Sequence, residues 1–253
     1  MPVETRPLAA PSVSVVVPLK DEERNVIPLY EELVSVLEQI EVQFEIVLVD
    51  DGSGDATFDR AVELHQRDPR VRVIRFTRNF GQTAAFAAGF SAARSRFIVT
   101  LDGDLQNDPA DIPRLLQLTA DYDVVCGWRR SRQDNALTRK LPSAVANYLL
   151  GVVSGVRLHD NGCSLKVFRA DIVKALRLRP GMHRYLPALA SQLGARVTEA
   201  VVNHRPRRFG RSKYGLSRTF RVLADVVQLR SLMKQATEGG VPPPIYTVAA
   251  RLD

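Results

Sequence analysis

The sequence has 253 residues, 45% of them hydrophobic and 25% charged, with a formal net charge of +7. That length supports one sizeable core or two small domains, and the mix excludes wholesale disorder, collagen-like repeats and coiled coil. Its two cysteines, Cys126 and Cys163, exclude a disulfide framework, and no paired Cys and His pattern suggests a zinc site, so a reducing cytoplasm fits.

The opening residues, MPVETRPLAAPS, lack the apolar stretch of a secretory signal, and residues 1–12 read as a flexible N-terminus. Residues 13–17 (VSVVV) form a β-branched run closed by Pro18. Residues 25–40 place Val26, Ile27, Leu29, Leu33, Val34 and Leu37 at helical spacing. A strand follows at 44–49 (FEIVLV), a helix at 55–67, a strand at 71–76 and an Ala-rich helix at 82–94. A strand at 96–101, a helix after Pro109 and a strand at 122–126 (YDVVC) complete the first half. Strands and helices alternate with short connections, and the strands are continuously apolar. That describes an α/β fold: a mostly parallel sheet with helices on both faces.

From Trp128 the rhythm changes. A basic stretch, WRRSRQD, precedes a helix predicted over 136–153. A strand over 164–168, two shorter helices and a strand over 196–203 lead to the basic loop HRPRRFGRSKYG at 204–215. A basic amphipathic helix is expected within 216–236, and the Gly/Pro-rich tail 237–253 reads as unstructured or partner-bound. The longest uncharged run, 141–156, has 16 residues, short of the roughly 18–20 that span a bilayer. An integral membrane protein is therefore not expected.

Charge is placed unevenly. Between Arg205 and Lys234 there are nine basic residues and one acid, Asp225, while the rest of the chain is nearly neutral. Such a stretch faces something anionic. Nucleic acid explains it poorly, because the stretch lacks an aromatic stacking pattern and acids gather at the strand ends.

In parallel sheets ligands bind beyond the C-terminal strand ends. The sharpest signal there is TLDGDLQNDP, at 100–109. Asp102 and Asp104, loosened by Gly103, can turn toward one hard divalent cation whose shell a nucleotide diphosphate completes; a solvated turn is the plain alternative. In VDDGSGD, at 49–55, Asp55 reads as a helix cap, and Asp50 and Asp51 can accept from a ribose or a base. Asp21 or Glu22 could serve a base too, or sit in a solvated loop. No GxGxxG follows the first strand, which argues against a dinucleotide-binding oxidoreductase.

Together PLKDEERN, VDDGSGD, RNFGQTAAFAAGF, TLDGDLQNDP, DVVCGWRRSRQD, DNGCSLKVFR and FGRSKYG resemble, in order, the family-2 glycosyltransferases of the GT-A fold. The likeness is to their polyprenyl-phosphate group, the dolichol-phosphate mannosyltransferases and undecaprenyl-phosphate glycosyltransferases, and it covers residues 13–229. It implies a GT-A domain over 13–215, with a nucleotide-binding half (13–127) and an acceptor half (128–215). Pro18, Glu22 and Asp51 would line the base and ribose pocket. Asp102 and Asp104 would hold Mg²⁺ or Mn²⁺ against the donor diphosphate, with Gln106 beside them. Arg129 and Arg132 would meet the lipid phosphate, and Arg208, Ser212 and Lys213 would close over the donor phosphates. Asp160 matches the family's catalytic aspartate; a turn residue ahead of Asn161-Gly162 is the plain alternative.

The implied reaction is an inverting, metal-dependent transfer of a sugar from a nucleotide-sugar, with a UDP-sugar favoured and GDP-mannose the alternative, to a polyprenyl phosphate. It would take place at the anionic cytoplasmic face of a membrane, with the helices of 136–153 and 216–235 either in the headgroup layer or packed on the sheet. Two departures stand out. Lys20-Asp21 replaces the family's usual Tyr-Asn, and the transmembrane helices that most bacterial relatives carry after the region matching Leu229 do not follow here. The second leaves a place for a membrane-spanning partner subunit. A family-2 enzyme acting on a polysaccharide, or a non-catalytic subunit of this fold, are the rival readings.

Overall fold

The computed structural model describes residues 12–130, 151, 155–206 and 245–253. Strands β1 (Ser12–Leu19), β2 (Gln43–Asp50), β3 (Val71–Phe76) and β4 (Phe97–Thr100) alternate with helices α1 (Val26–Gln39), α2 (Thr57–Arg67) and α3 (Gln82–Ala92). The short α4 (Ile112–Gln117) leads to β5 (Val124–Trp128). Then come β6 (Lys166–Arg169), α5 (Ala170–Ala175), α6 (Leu186–Gln192), β7 (Val197–Val201) and β8 (Val248–Leu252).

These strands form one eight-stranded sheet in the order β7-β5-β6-β4-β1-β2-β3-β8. β1 pairs in parallel with β2 and β4, β2 with β3, and β5 with β7. β6 runs antiparallel between β4 and β5, and β8 runs antiparallel on the outside of β3. The C-terminal ends of β1 to β5 and β7 therefore share one edge of the sheet, where β6 and β8 begin.

The inner strands β1 to β6 are largely buried on both faces, which is why they read as continuous apolar runs, whereas the edge strands β7 and β8 are half-exposed. Val13, Val15 and Val17 of β1 pack with α1, α2 and α4, whereas Val16 packs with α3, α5 and α6. α3, QTAAFAAGFSA, is buried on nearly every side, and its small residues let it lie close against the sheet. A Cβ on Gly89 would lie 2.2 Å from Cγ1 of Val16.

One sequence expectation is corrected. The tail does not stay unstructured over its last residues: β8 pairs Leu252 with Val73 and Val248 with Phe76. The pairing is locked by Arg72, buried in β3, which donates to Glu45 at 3.0 Å, to the Ala92 carbonyl at 2.6 Å and to Asp253. A buried guanidinium needs such partners, and Arg72 in turn holds the Asp253 carboxyl below its ordinary pKa. The Gly/Pro composition of the tail concealed this short strand. The helix expected over 136–153 lies outside the described residues except for Gly151, as does all of that expected over 216–235. No helix among the described residues is long and apolar enough to cross a membrane.

Gly89→Ala is expected to lower the unfolding free energy by about 1–3 kcal/mol, the usual cost of overpacking. The double variant with Val16→Ala should recover part of it, as read by urea denaturation.

Candidate active site

The loops at the shared sheet edge are laced to one another. After β1, Lys20 Nζ donates to the Gly52 carbonyl at 2.6 Å, the Asp21 amide donates to Ser53 Oγ at 2.9 Å, and the Gly54 amide donates to Asp21 Oδ1 at 2.9 Å. The Glu22 amide donates to Thr57 Oγ1 at 2.7 Å, and the Glu22 carboxylate accepts from Asn25 at 2.5 Å, at the start of α1. Pro18 is in β1 opposite Val49. The helix N-cap of α2 is Ala56 rather than the expected Asp55, which sits one residue earlier and accepts the Thr57 amide at 3.0 Å.

The two acids ending β2 separate. Asp50 is wholly buried, accepts the Ser53 amide at 3.0 Å and faces Arg75 at 3.5 Å, which withdraws it from the open site. Asp51 reaches across to the start of α3 and accepts the amides of Phe80 and Gly81 at 2.7 and 2.9 Å. Burial pushes the Asp51 carboxyl above its ordinary pKa, and those two amides offset only part of the shift.

Beyond β4, the chain packs tightly beneath the acid pair. A Cβ on Gly103 would lie 2.6 Å from Cδ2 of Leu19, so a side chain here would have to displace Leu19. Leu105, fully buried, is held at a φ of 61°, a conformation that costs an ordinary residue about 1–3 kcal/mol and gathers at functional loops. Asp102 accepts from Gln82 Nε2 at 2.7 Å, and its amide donates to Asn107 at 3.3 Å. Asp104, nearly buried, accepts the Gln106 amide at 3.1 Å. The Gln106 side chain turns toward the Arg205 carbonyl, 3.4 Å away.

The third group comes from β5 and the loop before β6. Arg129 donates Nε and Nη2 to the two oxygens of Asp160 at 2.7 and 2.9 Å, and its amide donates to Oδ2 at 3.3 Å. Both side chains are about nine-tenths covered. Burial alone would raise the Asp160 carboxyl, but the Arg129 guanidinium more than offsets it and holds the group below the usual range. Lys166, buried in β6, donates to the carbonyls of Asn161 and Cys163 and so fixes the turn that carries Asp160. Cys126 and Cys163 are buried packing residues, and burial pushes the Cys126 thiol up to about 12. Trp128 stacks on His159 with ring centroids 4.1 Å apart.

Of the residues singled out in the sequence, Pro18, Glu22, Asp51, Asp102, Asp104, Gln106, Arg129 and Asp160 fall on loops or strand ends at this one edge. Arg132, Arg208, Ser212 and Lys213 lie outside the described residues. Arg129 and Asp160, assigned to separate tasks by resemblance, are partners of each other. Gln82, Asn107 and Lys166 were missed, although each stands inside a quoted motif.

Among the described residues no group of three or more His, Cys, Asp or Glu side chains could hold a metal ion by itself. Asp102 and Asp104 offer hard carboxylate oxygens alone, a donor set that fits Mg²⁺ or Mn²⁺ when a diphosphate supplies further oxygens.

The chain matches the family model "Glycosyl transferase family 2" over residues 14–177. It is 44% identical over 239 residues to dodecaprenyl-phosphate galacturonate synthase of Rhizobium johnstonii, covering 92% of this chain and 71% of that protein. It is 38% identical over 225 residues to undecaprenyl-phosphate 4-deoxy-4-formamido-L-arabinose transferase of Pseudomonas fluorescens, covering 88% of this chain and 66% of that protein. The chain thus spans about two thirds of the length of the second relative. Among solved structures, glucosyl-3-phosphoglycerate synthase from Mycobacterium tuberculosis, in complex with Mn²⁺, UDP and phosphoglyceric acid, superposes with a TM-score of 0.67. The identity is 18%, over 92% of this chain and 80% of that one, a likeness of fold.

Asp160→Ala strands a buried guanidinium and is expected to cost about 3–5 kcal/mol of stability. The double variant Asp160→Ala/Arg129→Met should regain most of it, and chemical denaturation of the three proteins reads the difference.

Proposed function

The chain belongs to glycosyl transferase family 2, within its polyprenyl-phosphate group, and from that premise we propose that it moves a sugar from a nucleotide-sugar to a polyprenyl phosphate. The observation that carries the reading is the convergence at one sheet edge of Asp51, of Asp102 with Asp104, and of Arg129 with Asp160. The relatives named for transfer to dodecaprenyl and undecaprenyl phosphates support the acceptor class.

In this reading Asp51, its carboxylate aimed by two amides, accepts from the base or ribose of the donor, with Pro18 and Glu22 alongside. A UDP carrier is favoured by the resemblance. Asp102 and Asp104 would hold Mg²⁺ or Mn²⁺, a group that would supply positive charge against the departing diphosphate. Gln82 fixes one Asp102 oxygen, which leaves the other for that task. Arg208, Ser212 and Lys213 would supply cationic and hydroxyl groups to the donor phosphates.

The acceptor needs little help to attack. A phosphate monoester has a second pKa near 6 and is largely dianionic at neutral pH. Asp160, bonded through both oxygens to Arg129 and held ionised, is a poor proton acceptor there. Its task is to orient Arg129, whose remaining N–H groups, with Arg132, receive the lipid phosphate. Attack in line with the leaving group inverts the anomeric carbon. The enzyme works at the cytoplasmic surface of an anionic membrane, where the basic stretch between Arg205 and Lys234 meets lipid headgroups.

Calorimetric titration of UDP and GDP, each with and without Mn²⁺, tests the donor site. Manganese-dependent binding of one nucleotide, lost in Asp104→Asn, is expected, and absence of binding by folded wild type refutes the reading. With a radiolabelled donor, transfer should require a polyprenyl phosphate; transfer to a polysaccharide instead would shift the assignment within the family. Asp160→Asn should slow transfer by the same factor from pH 6 to pH 9, because a carboxyl whose pKa is lowered does not titrate in that window. A loss that grows toward low pH would make Asp160 a base.

A further inference from the structure

β8 begins at the same sheet edge as the acidic loops. Just before the strand, Tyr246 stacks on Phe76 with centroids 4.8 Å apart and planes at 18°. Phe76 in turn meets Phe80 edge-on at 5.8 Å and 89°. Between them the Thr77 amide donates to the Thr247 carbonyl at 3.0 Å, so the chain leaves β3 still tied to the C-terminal segment. Arg78 lays its guanidinium over the Phe80 ring at 4.4 Å. A Cβ on Gly52, the residue after Asp51, would lie 2.5 Å from the Arg78 backbone. This loop ends in the two amides, Phe80 and Gly81, that hold the Asp51 carboxylate.

We propose that Tyr246 is a positioning residue for the donor nucleotide: its ring fixes Phe80 through Phe76, and the Phe80 amide aims Asp51. The inference rests on the reading of Asp51 as a nucleotide ligand. Protecting the edge of β3 is a separate task, carried by the ladder from Val248 to Leu252 and by the Arg72–Asp253 pair. Tyr246 lies outside that ladder, at the end nearest the site. Its contribution is that of the ring rather than the hydroxyl, since offset stacking orders the loop whatever the phenol does.

The test uses the full chain and the variants Tyr246→Ala, Tyr246→Phe, Asp51→Asn and Tyr246→Ala/Asp51→Asn, titrated calorimetrically with UDP and with GDP in the presence of Mn²⁺. Tyr246→Ala is expected to weaken binding of the preferred nucleotide by about three- to tenfold, the worth of one aromatic pair, and Tyr246→Phe to restore it. In the Asp51→Asn background the same truncation should cost nothing further, because both changes act on one contact. In transfer assays the donor KM should rise while the acceptor KM stays. Hydrogen exchange should quicken at the amides of Phe80 and Gly81 but not in β1 or β2. Unchanged affinity and unchanged exchange in a Tyr246→Ala protein whose wild type binds nucleotide would overturn the inference alone. So would an equal loss in both backgrounds. A wild type that binds neither nucleotide overturns the reading of Asp51 and this inference with it.

Discussion

A sheet whose inner strands are buried on both faces leaves one place for polar chemistry, the ends of those strands. With α1, α2 and α4 over one face and α3, α5 and α6 over the other, a charge within the sheet must be paired, as Arg72 is with Glu45 and Asp253. Parallel pairing then gathers the C-terminal ends of the strands along one edge. The acids ending β2 and β4 come together because β1 lies between those strands. The antiparallel strands extend the same logic. β6 begins at that edge, so the loop before it delivers Asp160 beside Arg129, and β8 begins there too and delivers Tyr246.

The charges at this edge do not act as a sum. Arg129 and Asp160 neutralise each other in a nearly covered, bidentate pair. An anionic ligand reaching Arg129 therefore meets an oriented set of N–H groups rather than a free positive charge. Leaving the pair incomplete would be costly, whereas keeping it contributes little net stability over an apolar substitute. Its value lies in geometry, with Lys166 holding the turn beneath it. Asp51 shows the converse case. With two amide donors rather than a cation as its nearest partners, its carboxyl is raised by burial.

Much of this was legible in the sequence, for reasons that also explain the failures. Apolar runs with short connections announced the sheet, because strands covered on both faces cannot alternate. The acids of VDDGSGD and TLDGDLQNDP stood out because carboxylates at strand ends need a purpose. The pairing of Arg129 with Asp160 was hidden, since thirty-one residues separate them and each alone suits a ligand. Asp50 and Asp51 look equivalent as neighbours, yet Asp50 ends β2 facing Arg75, while Asp51, also buried, follows the strand and turns to the amides at the start of α3. β8 was concealed by its composition: VAARL has no strong β signature, and the edge of β3 supplies the partner that the segment lacks locally. Gln82 and Lys166 passed unnoticed because an amide or an amine acting on a neighbour's oxygen leaves no pattern of its own.

Two of the strained and crowded points of the molecule lie in the acid loop, which is bound to the segment after β7. Leu105 at positive φ and Gly103 against Leu19 fix the height of Asp104. The next residues are then tied, one after another, to the exit of β7. Gln106 exchanges hydrogen bonds with the Arg205 backbone, Asn107 bridges to His204, and Asp108 accepts from Asn203 and from Arg205 at 3.0 and 2.6 Å. Arg205 also reaches Glu32 of α1 at 2.6 Å. Arg205 opens the stretch that carries the chain's excess of positive charge. The acid loop and the root of the basic stretch are thus joined directly by hydrogen bonds. Asp102 and Asp104 of the acid loop and Arg205 at the exit of β7 are built on one hydrogen-bonded frame.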